Sequence, residues 1–313
     1  MKNAKVTINK TIAIAIATIV LTGCITLDIE FANIQAIPDE LYSLAEEGNV
    51  DAQNEVAEIY FFGKGDIQAA IYWFMRAADQ GHDMAQFNLG TMYLEGLVVT
   101  QDNDQAMYWL LKAADQDQTL AQHNLGMIYR DAHGVPQNFE QAVYWFRKAA
   151  EQGLADSQNN LGQMYERGHS VTQNYEQAVY WYRKSADQSN AIAEFNLGLM
   201  HYNGHGVVRD YKQAAYWFRR ASLQGDPSAQ QHLGLLYEDG KGVAQNHQQA
   251  VYWYRRAAEQ GHASAQVNLG LMYQNGFGVQ QNNRHAAYWF RKATEQGEPL
   301  GEINLSTLPV QYR

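Results

Sequence analysis

Trp73, Trp109, Trp145, Trp181, Trp217, Trp253 and Trp289 lie 36 residues apart, without exception. A tyrosine precedes each: Tyr72, Tyr108, Tyr144, Tyr180, Tyr216, Tyr252 and Tyr288. Leu-Gly pairs keep the same interval, beginning at Leu89, Leu125, Leu161, Leu197, Leu233 and Leu269. A period this strict means that one supersecondary unit is copied along the chain, and that stacking neighbours bury what a single copy cannot. Length alone would suggest about two domains. The period predicts one array instead. Apolar residues are 46% of the chain, enough to build its core.

Each copy reads as two helices. In the stretch Leu120 to Gly153, helix A carries Ala121, Leu125, Ile128 and Tyr129 on one stripe. It ends at Asp131-Ala132-His133-Gly134, where a glycine can adopt positive φ. Asn138 is an N-cap candidate for helix B. Helix B then presents Ala142, Trp145, Phe146, Ala149 and Ala150 at helical spacing, and Gly153 closes it. Gly126 and Ala142 let the two backbones approach.

This pattern of alanine, Leu-Gly, tyrosine, loop glycines, Trp, Ala-Ala and closing glycine resembles the Sel1-like repeat family, relatives of tetratricopeptide repeats. The resemblance implies an all-α fold: a right-handed α-solenoid of about seven 36-residue helix-turn-helix repeats, with half-repeat caps, over residues 39–308. It also implies that helix A lines a concave groove and helix B the convex back. Leu41 to Gly48 reads as a lone helix B, and Leu300 to Leu305 as a lone helix A. The first unit departs by a shorter loop, the second lacks a second loop glycine at Gly96-Leu97-Val98-Val99, and His201 replaces the helix A tyrosine of the fifth. No repeat carries a cysteine, unlike the disulfide-stapled branch of the family, so packing alone must hold the array.

Residues 1–23 read as an address. Lys2, Lys5 and Lys10 precede the apolar run Thr11 to Leu21, which is too short to span a bilayer as a helix. It ends in Leu21-Thr22-Gly23-Cys24, which resembles the bacterial lipobox. That resemblance implies a lipoprotein signal peptide at 1–23, acylation of Cys24, a lipidated tether at 24–38 and a tail at 309–313. Cys24 is the chain's single cysteine, so disulfide frameworks and multi-thiolate metal sites are excluded. Two or more acyl chains give stable attachment. Ile25 after the cysteine implies an outer-membrane location facing the periplasm, with surface exposure as an alternative. The formal charge of −10 argues against a nucleic-acid partner.

No catalytic spacing is present: there is no HExxH, GxxxxGK[ST], GxSxG or Ser-x-x-Lys. The expectation is a non-enzyme with no cofactor and no metal. His82 and His262 occupy turns of separate units, and His201 and His205 are separated by Gly204, so the histidines read as solvated or capping. The candidate partner-binding groove lies on helix A. Asn88, Asn124, Asn160, Asn196, His232, Asn268 and Asn304 recur before the leucine, and asparagine can grip an extended peptide backbone. The alternative is that this asparagine bonds a neighbouring helix. Specificity would come from variable positions: Phe87, His123, Asn159 and Phe195 one step earlier, and Leu94, Arg130, Glu166, Tyr202 and Glu238 one turn later. The function expected is a membrane-anchored scaffold binding a protein or extended peptide. The alternatives are a β-lactamase-like penicillin-binding hydrolase of the envelope, or a surface or host-directed virulence factor. On helix B, the pairs Arg147-Lys148, Arg183-Lys184, Arg219-Arg220, Arg255-Arg256 and Arg291-Lys292 suit the helix dipole, and Tyr144 with Lys148 predicts a cation–π contact.

Overall fold

The computed structural model describes residues 36–96 and 101–312. The expected signal peptide, Cys24, most of the expected tether and residues 97–100 lie outside the described residues. Within them are sixteen α-helices. The fold is an all-α solenoid of stacked helix pairs, divided into two compact units, Met1–Gln152 and Gly153–Arg313. The boundary falls between the third and fourth of the predicted repeats.

In the first unit, α1 (Asp39–Glu46) is the lone leading helix and α2 (Val50–Glu58) begins the first repeat. A π-helical segment, Ile59–Lys64, continues α2 to Gly65 and absorbs the shorter loop. The B partner of α2 is α3 (Ile67–Asp79), and the pairs that follow are α4 (Asp83–Glu95) with α5 (Asn103–Asp115) and α6 (Thr119–Asp131) with α7 (Phe139–Glu151). In the second unit, α8 (Ala155–Arg167), α10 (Ala191–Asn203), α12 (Pro227–Asp239) and α14 (Ala263–Asn275) are the A helices. Their B partners are α9 (Tyr175–Ala186), α11 (Tyr211–Leu223), α13 (His247–Glu259) and α15 (Asn283–Glu295). The second unit is closed by α16 (Pro299–Thr307) and the 3₁₀ turn Val310–Tyr312. The expected tail is therefore docked: Arg291 Nη2 donates to the Tyr312 carbonyl at 2.7 Å, and Leu308 is buried.

Local chemistry sets the helix ends. Asn138 caps α7 by accepting from the Gln141 N–H at 3.0 Å, and Asn174, Asp210, Asn246 and Asn282 do the same for later B helices. His82 and His262 cap A helices through Nδ1, as the capping alternative held. Most A helices end on a left-handed glycine, but α6 ends on Ala132 at φ +60°. The turn expected at Asp131 to Gly134 is thus present, with Ala132 as well as the glycine in the left-handed region. Gly134 takes positive φ two residues later, where the chain passes close to Asn103.

The Trp and Leu-Gly signals become packing. In the first unit Trp145 joins Leu110, Ala121, Leu125 and Ile128 in one cluster, so each tryptophan helps lock successive helices. A Cβ on Gly126 would stand 2.5 Å from the Phe146 ring, which explains why glycine recurs after that leucine.

A second lock was not read from the sequence. Gln53, Gln86, Gln122, Gln230 and Gln266, in the first turn of their A helices, donate to the carbonyl eight residues earlier at 3.0–3.2 Å. Each also accepts from a later glutamine, 27 residues on in the short first repeat and 30 in the others: Gln80, Gln116, Gln152, Gln260 and Gln296, at 2.8–2.9 Å. These buried amides stitch successive repeats together with both of their hydrogen-bonding ends satisfied.

Candidate interaction site

The A helices are enclosed on most sides. Between their first turn and last residue the side chains of α6, α8, α10, α12 and α14 are buried or half-buried, whereas each B helix shows an exposed face. The helix A surface still open to a partner is a narrow band, and the predicted residues fall on it unevenly.

Asn88, Asn196, His232 and Asn268 are half-buried, while Asn124 and Asn160 are buried, Asn124 at 2% exposure. Asn196 Nδ2 donates to Asn159 Oδ1 of the preceding repeat at 3.0 Å. That contact belongs to the alternative in which the asparagine bonds a neighbouring helix. His232 takes the asparagine position in α12. Its Nδ1 lies 2.8 Å from the Ser228 carbonyl, so Nδ1 is the protonated nitrogen. Its ring meets Phe195, Tyr202 and Phe218 at 5.2–6.4 Å between centroids. Burial lowers its pKa, with the Ser228 carbonyl opposing the shift.

Three expected specificity positions are corrected. Phe87 is 3% exposed and lies in the core with Leu94, Ala106 and Leu110. Glu166 accepts from the Tyr182 hydroxyl at 2.5 Å, and Glu238 from the Tyr254 hydroxyl at 2.6 Å. Both phenols are fully enclosed, and burial, then the neighbouring carboxylate, pushes each pKa up. These acids satisfy buried phenols of their own repeats. Arg130 makes a two-pronged pair with Asp131 at 2.6–2.7 Å and lies over the Phe146 ring. His123 is buried with its ring 5.8 Å from that of Phe146. Phe195 and Tyr202 remain half-buried and in mutual reach through Phe218 and His232.

One face was missed by the sequence reading. Three residues beyond Asn124, Asn160, Asn196, His232 and Asn268 stand Met127, Gln163, Leu199, Leu235 and Leu271, all half-buried, whereas the same step from Asn88 reaches the buried Thr91. In the second unit the open band is therefore more apolar than the asparagines suggest. The signal was legible: these residues are on the same helical face as the asparagine, one turn on.

The histidines are not gathered into a centre. His205 stacks on Tyr175 at 4.7 Å, and His201 is buried apart from it. Among the described residues no group of three His, Cys, Asp or Glu could hold a metal ion, and no helix is long and apolar enough to cross a membrane. On helix B, Tyr72, Tyr108, Tyr144, Tyr180, Tyr216, Tyr252 and Tyr288 are about half exposed. Lys148 lies over Tyr144 and Trp145 at 5.6 and 5.8 Å, the cation–π contact expected.

Comparison with known families decides what this arrangement belongs to. The Sel1 repeat pattern matches residues 50–82, 83–118, 119–154, 155–190, 191–226, 227–262 and 263–298. The chain belongs to the Sel1-repeat family. Among solved structures it is similar to c5321, described as a protective antigen present in uropathogenic Escherichia coli strains and displaying an SLR fold. The two are 37% identical with a TM-score of 0.81, covering 87% of this chain and 59% of c5321. A Sel1 repeat protein from Oxalobacter formigenes is 30% identical with a TM-score of 0.57, covering 86% of this chain and 90% of its own. No curated protein matches the chain. Sel1-repeat proteins are generally scaffolds for protein interactions, and their structural neighbours are typically non-enzymatic.

Proposed function

We propose that this Sel1-repeat protein is a non-catalytic scaffold, held to the outer membrane of a bacterium by lipid on Cys24, that binds an extended segment of a partner protein along its A helices. Residues 1–23 would be the removed signal peptide and 24–38 the tether. The observation that supports binding is the half-buried band of the second unit, where Asn196, His232 and Asn268 alternate with Leu199, Leu235 and Leu271. Polar side chains there can meet a peptide backbone while the leucines cover its apolar side chains. Affinity would accumulate over repeats and would not depend on nucleic acid, cofactor or metal.

The binding arm is tested by Leu235→Gln with Leu271→Gln. Gln163 occupies that position in α8, so the fold tolerates the side chain. Capture of the partner by in-cell crosslinking should be lost while the thermal midpoint is kept; retained capture removes the helix A band from the account. The anchor arm is tested with Cys24→Ala, which should abolish palmitate labelling and detergent partitioning. Labelling that survives the substitution contradicts it. A second reading is display on the outer surface; the similar protein c5321 is described as a protective antigen. Protease shaving of whole cells separates the two orientations.

A further inference from the structure

The glutamine ladder has one departure. In α10 its place is taken by Glu194, whose side chain is fully enclosed. Gln224 Nε2 still donates to Glu194 Oε2 at 2.9 Å, so one ladder bond is kept. An ionised carboxylate has no hydrogen for the second bond, which in other repeats goes to the carbonyl eight residues earlier. Arg220 takes that role: its Nη2 is 2.7 Å from Glu194 Oε1, 3.3 Å from the Ala186 carbonyl and 3.3 Å from Ser189 Oγ.

Two repeats show where such an arginine goes when the ladder residue is glutamine. Arg76 and Arg256 hold the position of Arg220, above Gln53 and Gln230 respectively. Each donates Nη1 to its own exposed tyrosine, Tyr72 or Tyr252, at 3.2 Å, and lies over both that ring and the adjacent indole. Arg220 lies over Trp217 at 5.2 Å with its guanidinium turned inward to Glu194.

We propose that Glu194 and Arg220 form a proton-controlled joint in the fifth repeat. With Glu194 ionised, Arg220 is drawn in, as described. When a proton from solvent adds to Glu194 Oε1, the new O–H donates to the Ala186 carbonyl as a ladder glutamine would. Arg220 is then released to the Tyr216 hydroxyl, the place Arg76 and Arg256 hold. A cation thereby moves from the seam between repeats to the helix B surface.

The charges packed around Glu194 leave the pair isolated. From α11 it meets Arg220. Of the cations of α9, Lys184 lies over Tyr180 and Trp181, and Arg183 adds to the lowering of the His201 pKa. His201, on α10 itself, has its pKa lowered, chiefly by burial and then by Arg183, with Asp210 opposing. The turn before α10 carries Asp187, but meets the pair through Ala186 O and Ser189 Oγ. Burial raises the Glu194 pKa, and Arg220 and Gln224 only partly oppose it. A carboxyl whose folded pKa exceeds its unfolded value binds its proton more tightly when folded. The stability it contributes is present below the unfolded value and is lost as pH rises through the folded one.

The test compares the full chain in detergent micelles with Glu194→Gln, the residue of the sibling repeats and therefore compatible with the fold. The unfolding equilibrium is followed by circular dichroism from pH 4 to 7.5. Relative to Glu194→Gln, the wild type should gain stability as pH falls, by tenfold in the equilibrium constant for each unit that the folded pKa exceeds the unfolded one. Arg220→Met should lower the midpoint more at pH 7.5 than at pH 4.5, with ¹³C-carboxyl NMR reporting Glu194 directly. A wild-type to Glu194→Gln gap that is flat with pH, or an Arg220→Met loss equal at both pH values, overturns the proposal.

Discussion

Gly126→Ala places two sizeable effects in opposition, so its sign is informative. In an exposed helix the substitution would stabilise by about 1 kcal/mol, because glycine is that much poorer a helix former than alanine. In α6 the added Cβ would lie 2.5, 2.6 and 2.9 Å from Phe146 Cδ1, Cε1 and Cγ. Ordinary carbon contacts are about 3.5–4.0 Å, so the shortfall is about 1 Å. Phe146 is fully enclosed, so its ring can yield only by moving its neighbours, and overpacking of this kind costs about 1–3 kcal/mol. With contacts this short the upper part of that range applies, and the expected net loss is about 1–2 kcal/mol. The assay is urea unfolding of Gly126→Ala, Phe146→Ala and the double variant. Phe146→Ala alone should lose about 3–5 kcal/mol. In the F146A background the clash is gone, and Gly126→Ala should become neutral or stabilising. A single variant more stable than wild type, or an equal cost in both backgrounds, would refute the close-approach account of the Leu-Gly period.

Three further substitutions probe separate links. Gln122→Ala strands the Ala114 carbonyl and removes one of the two acceptors of the Gln152 amide, which keeps the Asp117 carbonyl, and should destabilise by about 1–3 kcal/mol by chemical denaturation. Ala132→Gly relieves a left-handed alanine, and should raise stability by about 1 kcal/mol; a thermal midpoint that falls would contradict the strain reading. Tyr182→Phe leaves the half-buried Glu166 without its phenol donor, and should cost about 1–2 kcal/mol. Pairing it with Glu166→Gln should recover part of that cost, as a double-mutant cycle would show.

The architecture was legible because its signals are residue types with one physical use. A tryptophan every 36 residues can only be a repeated lock, and a glycine recurring inside a helical stripe marks a close approach. The glutamine ladder has the same period and was passed over, because a lone glutamine in a sequence reads as solvated surface. Constancy of a polar residue across repeats was the available signal, and Glu194 was the informative exception. The acids Glu166 and Glu238 were taken for a partner because their donors lie sixteen residues away on another helix. The tyrosines are legible in retrospect: Tyr182 and Tyr254 stand where Phe146 and Phe218 do elsewhere, and only those two repeats carry glutamate at the facing position. Phe87 could not be placed without knowing that helix A is enclosed on nearly every side. The half-buried leucines were overlooked because apolar residues on a solenoid helix read as core.

The central claim is that partners meet the A helices and not the exposed tyrosines of the B helices. A photo-crosslinking amino acid placed at Leu235, on the half-buried band of α12, and separately at Tyr252, on the exposed face of α13, tests it in living cells. The account predicts a discrete partner adduct from position 235, lost when Leu271→Gln is added, and none from position 252. An adduct formed from position 252 alone would contradict it and move the binding surface to helix B.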